Sequence, residues 1–402
     1  MGGIALILTF TFAGGLAAQE PAVGRYEQKV NVIDAVYLPK IAKVIYINHM
    51  GTVGSIQVEG DAATAQEITR KPDEDFTSLQ KLSNGEVLIG SAQGMLCRFD
   101  GEAVTEVAQL SEFQVPILSI SVSGNSYWAT GARGLLAKST DGKKWDLMEA
   151  GHVKQPPMPL PTGETGTRYF GVANIVSETV VVTGTVGGKP AVADQDYMIY
   201  PDDGTIEITN PFDEMSAPSI AFDFQPGPPY RAGDVSWNVV LQENGRITIA
   251  GEFGYIFQSD DGGQSWVRRN GRLSKSEAAQ LYWMSGYTSG NKIALGGAAG
   301  LVGISDDKGE NWVQLERPGR DGVFGVRFVD GDKLFISGAV GLAGRFKDDR
   351  WDLVDRSATN LYSWLKTFVQ LEDGSLLLLG GNSTALSYKN DMWERLQMTV
   401  KQ

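Results

Sequence analysis

Cysteine and histidine are almost missing from this 402-residue chain, which holds only Cys97, His49 and His152. One Cys excludes an intrachain disulfide. With no Cys or His cluster there is no zinc signature, and the lone histidines, in different parts of the chain, support no Ser-His-Asp set. Cys97 reads as a small buried hydrophobe. Basic residues are also short: 35 Lys and Arg against 48 Asp and Glu leave a net charge of −13. That balance argues against a nucleic-acid surface, which needs clustered cations, and against adhesion to anionic membranes. Convincing 3.6-residue periods longer than about three turns are absent, so helices should be few, with Ser274 to Leu281 a short turn or helix.

Long apolar runs are scarce outside the start of the chain. Ile4 to Phe12 are apolar, and Ala13-Gly14-Gly15-Leu16-Ala17-Ala18 supply the small residues of a cleavage region. No Lys or Arg precedes the run. The expectation is a signal peptide over 1–18 and an exported periplasmic or envelope chain over 19–402, with no membrane insertion after cleavage. An uncleaved anchor is the rival reading, and the segment is marginally long enough to span.

Glycine is abundant. Its 49 copies lie far above the ~7% norm and show no collagen period, so they read as turn residues of a many-stranded protein. A Gly-x-x-Gly-like link recurs eight times, beginning at Gly51, Gly90, Gly131, Gly184, Gly251, Gly297, Gly338 and Gly381. The spacings are 39, 41, 53, 67, 46, 41 and 43 residues, mostly near the ~40–45 of a four-stranded propeller blade. Strands alternate around the links, as in Lys43-Val44-Ile45-Tyr46-Ile47 and Lys333-Leu334-Phe335-Ile336-Ser337. The expected fold is an all-β propeller in one domain, eight-bladed by unit count with seven as the alternative. The two long gaps mark insertions at 151–168 and 189–234.

A polar turn follows each link. It is complete at Ser259-Asp260-Asp261-Gly262-Gly263-Gln264-Ser265-Trp266 and at Ser305-Asp306-Asp307-Lys308-Gly309-Glu310-Asn311-Trp312, and one residue shorter from Ser139 through Asp141 to Trp145. Its Asp carboxylate can accept from backbone N–H groups, its Ser can close the turn, and its Gly supplies a positive φ. Five of the nine Trp residues (145, 266, 312, 351 and 393) occupy its last position and are expected to pack between blades.

These octets resemble Asp-boxes, or bacterial neuraminidase repeats. Paired with the upstream links, above all in Gly251-Glu252-Phe253-Gly254 running into Ser259 to Trp266, they are similar to the propeller family of photosystem II assembly and stability factors. The resemblance implies a non-enzymatic scaffold with a protein partner and no cofactor, and the expected member is a non-photosynthetic bacterial relative. Some exported relatives are associated with RND-type exporters. The eight units and the two insertions depart from the seven-bladed photosynthetic members.

In a four-stranded blade the links share a face with the connections between blades, and the octet turns lie opposite. The partner-binding candidates are therefore Arg133, Glu252 and Phe253 on the links and His152, Tyr200 and Tyr230 in the insertions. A calcium site from Asp194, Asp196, Asp202 and Asp203 is conceivable by composition, but no EF-hand spacing exists, and a solvated loop is the plainer reading. A sialidase-like or sugar-binding propeller is the alternative function. It would need an arginine triad, a Tyr nucleophile with a Glu partner and an acid Asp, whereas only Arg133 and Glu252 are charged among the link residues.

Overall fold

The computed structural model describes residues 28–226, 235–271 and 281–401. Strands dominate, as the β-branched and aromatic alternation dictates. Among these residues the one α-helix is a single turn, Arg356–Thr359, capped by the Asp355 carboxylate.

Seven four-stranded antiparallel units succeed one another along the chain, each paired in sequence order. Their innermost strands are Asp34–Leu38, Phe76–Lys81, Ile117–Ser123, Trp237–Glu243, Trp283–Ser289, Val323–Val329 and Leu365–Gln370. Each lies beside the next, and the last lies beside the first, so the ring closes around a central channel. Hydrogen bonds cross every seam. Asp34 Oδ2 accepts from Leu79 N at 3.1 Å, and Thr77 Oγ1 donates to Ile117 O at 2.5 Å. Ser119 Oγ accepts from Val240 N, Asn238 Nδ2 donates to Trp283 O, and Ser285 Oγ donates to Val323 O. Ser337 Oγ donates to Lys366 O, and Thr367 Oγ1 returns to Asp34 Oδ1 at 3.0 Å. The chain is an all-β propeller.

Each blade is covered on both sides by its neighbours, so its second strand is mainly apolar and buried, as in the fully buried Val87–Ser91 and Leu376–Gly380. The core accordingly lies between blades. Ile45, Ile47 and Val53 of blade one meet Phe76, Leu79 and Ile89 of blade two, with Cys97 enclosed among them. Burial pushes the Cys97 thiol up to about 12, the environment of an inert hydrophobe.

The segment just before the first strand and the strand after blade seven tie blades seven and one together. Val32 N donates to Gly380 O at 2.9 Å and Ser383 N donates to Val30 O at 2.7 Å. The final strand, Gln397–Lys401, runs parallel to Ala62–Arg70 along the outer edge of blade one.

The count of eight units is one too many. Gly184-Thr185-Val186-Gly187 belongs to no blade. Thr185–Val186 folds back on Lys189–Pro190, with Gly187 and Gly188 at φ 59° and 76° forming a two-residue hairpin turn. A Gly-rich hairpin and a blade link use the same residues, which is why the repeat count included it. The stretch between the end of blade three at Leu147 and the start of blade four at Trp237 is one excursion, not two insertions flanking a blade.

The excursion also sits elsewhere than expected. Val153–Pro159 pairs parallel with Trp266–Arg268, the outermost strand of blade four, then antiparallel with Ser219–Phe224, which pairs with Ile175–Thr183. The sheet is thereby continued outward from the rim, instead of capping the link face. The Pro-rich run is extended, with Pro156 and Pro157 at the irregularity between Gln155 and Met158, where missing N–H donors cost no ladder bond.

Rim coverage explains the tryptophans. Trp266 is buried, because the excursion shields its strand, and it meets Trp128 of blade three edge-on at 6.2 Å. Trp351 and Trp393 stand on outer strands, Trp145 and Trp312 just before theirs, and all four are only half-buried.

Candidate functional site

The two faces of the ring differ in chemistry. On one, the octet turns are closed networks. Asp261 Oδ1 accepts from Gln264 N and Ser265 N, both at 3.0 Å, while Ser259 Oγ accepts from Gly263 N at 2.8 Å. Asp307 and Ser305 repeat the pattern toward Asn311 N and Gly309 N, and Asp141 and Ser139 toward Lys144 N and Gly142 N. Gly263 and Gly309 both have φ 85°, which L side chains rarely adopt. The three turns are also gripped from the preceding blade at one equivalent position. Arg98 Nη2 donates to Gly142 O at 3.2 Å, Lys138 Nζ to Gly262 O at 3.4 Å and Gln258 Nε2 to Lys308 O at 2.8 Å. This face carries Asp100, Asp260, Asp306, Asp332 and Asp349, and its turns are spent on holding blades together.

The link face is built to expose side chains. Each link N–H is anchored to the carbonyl that precedes the innermost strand: Ala132 N to Pro116 O, Glu252 N to Ser236 O, Ala298 N to Tyr282 O and Ala339 N to Gly322 O. The next residue then takes a left-handed conformation, with φ 52° at Arg133, 56° at Phe253, 53° at Ala299 and 50° at Val340. For a β-branched or aromatic residue that conformation is strained, and strain of this kind gathers at functional sites. It lifts the side chain into solvent, so that Phe253 is 42% and Val340 50% exposed. Met50, Phe113 and Tyr362 stand exposed on the same face at 63, 81 and 66%. Of the exposed large apolar residues, the turn face has Ile41 and Met392.

The channel opens on this link face. Six of the seven innermost strands carry a β-bulge, and the residue it frees is Thr77, Leu118, Asn238, Met284, Phe324 or Lys366. A bulge re-aims a side chain, and here all six line the channel mouth. Ile33, His49, Tyr282 and Trp364 complete the wall of a cavity of about 480 Å³. Below it a second chamber of about 400 Å³ is lined by Asp34, Ser78, Gln80 and Ser119 among others.

Where blades one and seven meet, the channel holds two opposite charges, Asp34 and Lys366. Burial pushes the Asp34 carboxyl above its usual range, opposed by the Lys366 ammonium and by hydrogen bonds from Leu79 N, Ala35 N and the Thr367 hydroxyl. Burial lowers Lys366, opposed by Asp34. His49 is lowered by burial as well, with Asp75 raising it and Lys366 lowering it further.

The residues picked from sequence separate into groups. Arg133 and Phe253 project from the link face as exposed side chains. Glu252 faces the backbone, its carboxylate accepting from Ser236 N at 2.7 Å, so it stabilises the link rather than reaching out. His152 and Tyr200 belong to the rim excursion. His152 Nε2 lies 3.1 Å from Gln225 Nε2, and Tyr200 donates to Glu207 at 3.0 Å. Tyr230 and most of Ser274 to Leu281 lie outside the described residues. Asp196, from the conceivable calcium set, accepts from Val192 N and Asn210 Nδ2, and the described residues contain no carboxylate, His and Cys group that could hold a metal ion. The bulge residues of the channel mouth and the exposed Met50, Phe113, Val340 and Tyr362 were not picked out by sequence reasoning.

Neither the protein-family models nor the curated proteins include a match to this sequence. Solved structures do match. The WD40 β-propeller domain of Doa1 superposes with a TM-score of 0.52 at 10% identity, covering 90% of this chain and 94% of that one. YCF48 bound to a D1 peptide gives a TM-score of 0.52 at 11% identity, covering 90% and 93%. At such identities the likeness is one of fold: this chain is similar to both as a β-propeller.

Proposed function

We propose that this chain is a non-enzymatic scaffold that grips a protein partner with its link-bearing face. The observation that carries the reading is the set of exposed apolar side chains, Met50, Phe113, Phe253, Val340 and Tyr362, on the links and inter-blade connections of one face. Two of these are held in strained left-handed links. Exposed apolar groups rimmed by polar ones mark interaction surfaces, and aromatic anchors dominate binding energy. A propeller of similar fold, YCF48, is seen with a peptide bound, which supports the same use of the fold. The resemblance drawn from the sequence extends the proposal to export and to assembly of a membrane or envelope complex, RND-type exporters being one class. The sugar-processing alternative loses ground because Glu252, the one link carboxylate, is committed to Ser236 N.

The test is affinity capture from envelope extracts with the unaltered chain and a Phe113→Asp, Phe253→Asp, Val340→Asp variant of equal melting temperature. The proposal expects one protein, retained by the unaltered chain, to be lost by the variant. Equal capture by both would overturn it.

A further inference from the structure

The grip on a protein partner leaves the interior of the channel mouth unused. Its cavity of about 480 Å³ lies within the usual range of sites that enclose small ligands. Five blades each give it an apolar side chain, Ile33, Leu118, Met284, Phe324 and Trp364. Blade seven gives it Lys366, which also lines the chamber beneath and so stands where the two meet. Lys366 is placed there by the bulge between Leu365 and Thr367.

The ammonium is poorly compensated. Among the described residues it donates no hydrogen bond, and the carboxylate that acts on it, Asp34, already accepts from Leu79 N, Ala35 N and Thr367 Oγ1. A half-buried cation that donates no hydrogen bond is stabilised by an anion that enters beside it. The rest of the wall limits what that anion is attached to. Thr77 Oγ1 donates to Ile117 O, and Asn238 Nδ2 donates to Trp283 O at 2.6 Å. A peptide threaded into the mouth would leave much of its own backbone unpaired against the apolar side chains of the wall. An apolar body bearing one carboxylate meets no such cost.

We propose that the channel mouth binds a small monocarboxylic acid with an aromatic or aliphatic body, its carboxylate on Lys366 and its body against Phe324 and Trp364. The test is isothermal titration of the full chain with indole-3-acetate, 4-phenylbutyrate and octanoate, each beside its primary amide. A short peptide with a free C-terminal carboxylate forms a separate arm. At least one acid is expected to bind at least about tenfold more tightly than its amide, and Lys366→Met to weaken it by a similar factor while Lys366→Arg restores acid over amide. No binding by any acid, equal binding of acid and amide, binding by the peptide alone, or unchanged acid affinity in Lys366→Met would each overturn the assignment. The acid and amide comparison uses the unaltered chain, so it stands even where a variant fails to fold. It is also independent of whether a protein partner is found.

Discussion

The Gln258 amide reaches from the third strand of blade four into the octet turn of blade five, donating to Lys308 O at 2.8 Å. Arg246 reinforces the joint, contacting Asp260 at 2.6 Å on its own blade and Glu310 at 2.7 Å on the next. Repeated turns in this chain are therefore fasteners between blades as well as reversals within them.

Gln258 is buried, and replacing it with Leu removes its bonds to Lys308 O and Thr248 Oγ1 and the acceptor of Arg269 Nε, while Arg246 Nη1 still donates to Lys308 O at 3.2 Å. A loss of about 1–3 kcal/mol is expected, read as a lower midpoint in chemical denaturation with link-face binding unchanged.

The glycine of the turn is required for two reasons. Gly263 has φ 85°, and a Cβ there would stand 2.5 Å from the Trp128 ring. That ring is buried against Trp266 and has little room to yield. Gly263→Ala should cost about 2 kcal/mol or more, and thermal melting against Gly262→Ala, whose Cβ meets open space at a similar φ of 71°, separates crowding from backbone strain.

Acid should loosen these turns late. The Ser265 hydroxyl and N–H, with Ser259 and Gln264, hold the Asp261 carboxyl at about 2 against an ordinary 3.8. A depressed carboxyl stabilises the fold fully above its unfolded pKa, and that contribution is lost as pH falls from 3.8 through about 2. Denaturation of the unaltered chain and Asp261→Asn should differ at neutral pH and converge toward pH 2, in proportion to this shift. A difference that stays constant across that range would remove the turn from the account of acid stability.

The last strand covers an edge. Ending the chain at Leu396 would bare Ala62–Arg70, whose partner Gln397–Lys401 would be gone. Unpaired edges recruit other strands, so the shortened chain should melt earlier and self-associate with rising concentration, measurable by light scattering.

Strand units, links and turns were legible because each repeats one local chemistry: apolar alternation, Gly at positive φ, Ser and Asp as acceptors. The extra unit at Gly184 was illegible for the same reason, since a two-residue hairpin draws on those residues too. The excursion's place on the rim depends on Val153 pairing with Trp266 across more than a hundred residues, which no local pattern records. The channel residues carried a faint signal. Thr77, Leu118, Asn238, Met284, Phe324 and Lys366 each follow a buried anchor at the head of an innermost strand: Phe76, Ile117, Trp237, Trp283, Val323 or Leu365. Aligning the repeats on that anchor would have brought Lys366 into one ring with the others, although their varied chemistry hides the pattern from motif reading.

The claim that the link face is the working surface is tested most directly by site-specific photocrosslinking in envelope extracts. A benzophenone side chain is placed in turn at Phe253, at Val340 and, on the opposite face, at Asp349. The account predicts the same crosslinked protein from positions 253 and 340 and none from 349. A product from position 349 alone would contradict it.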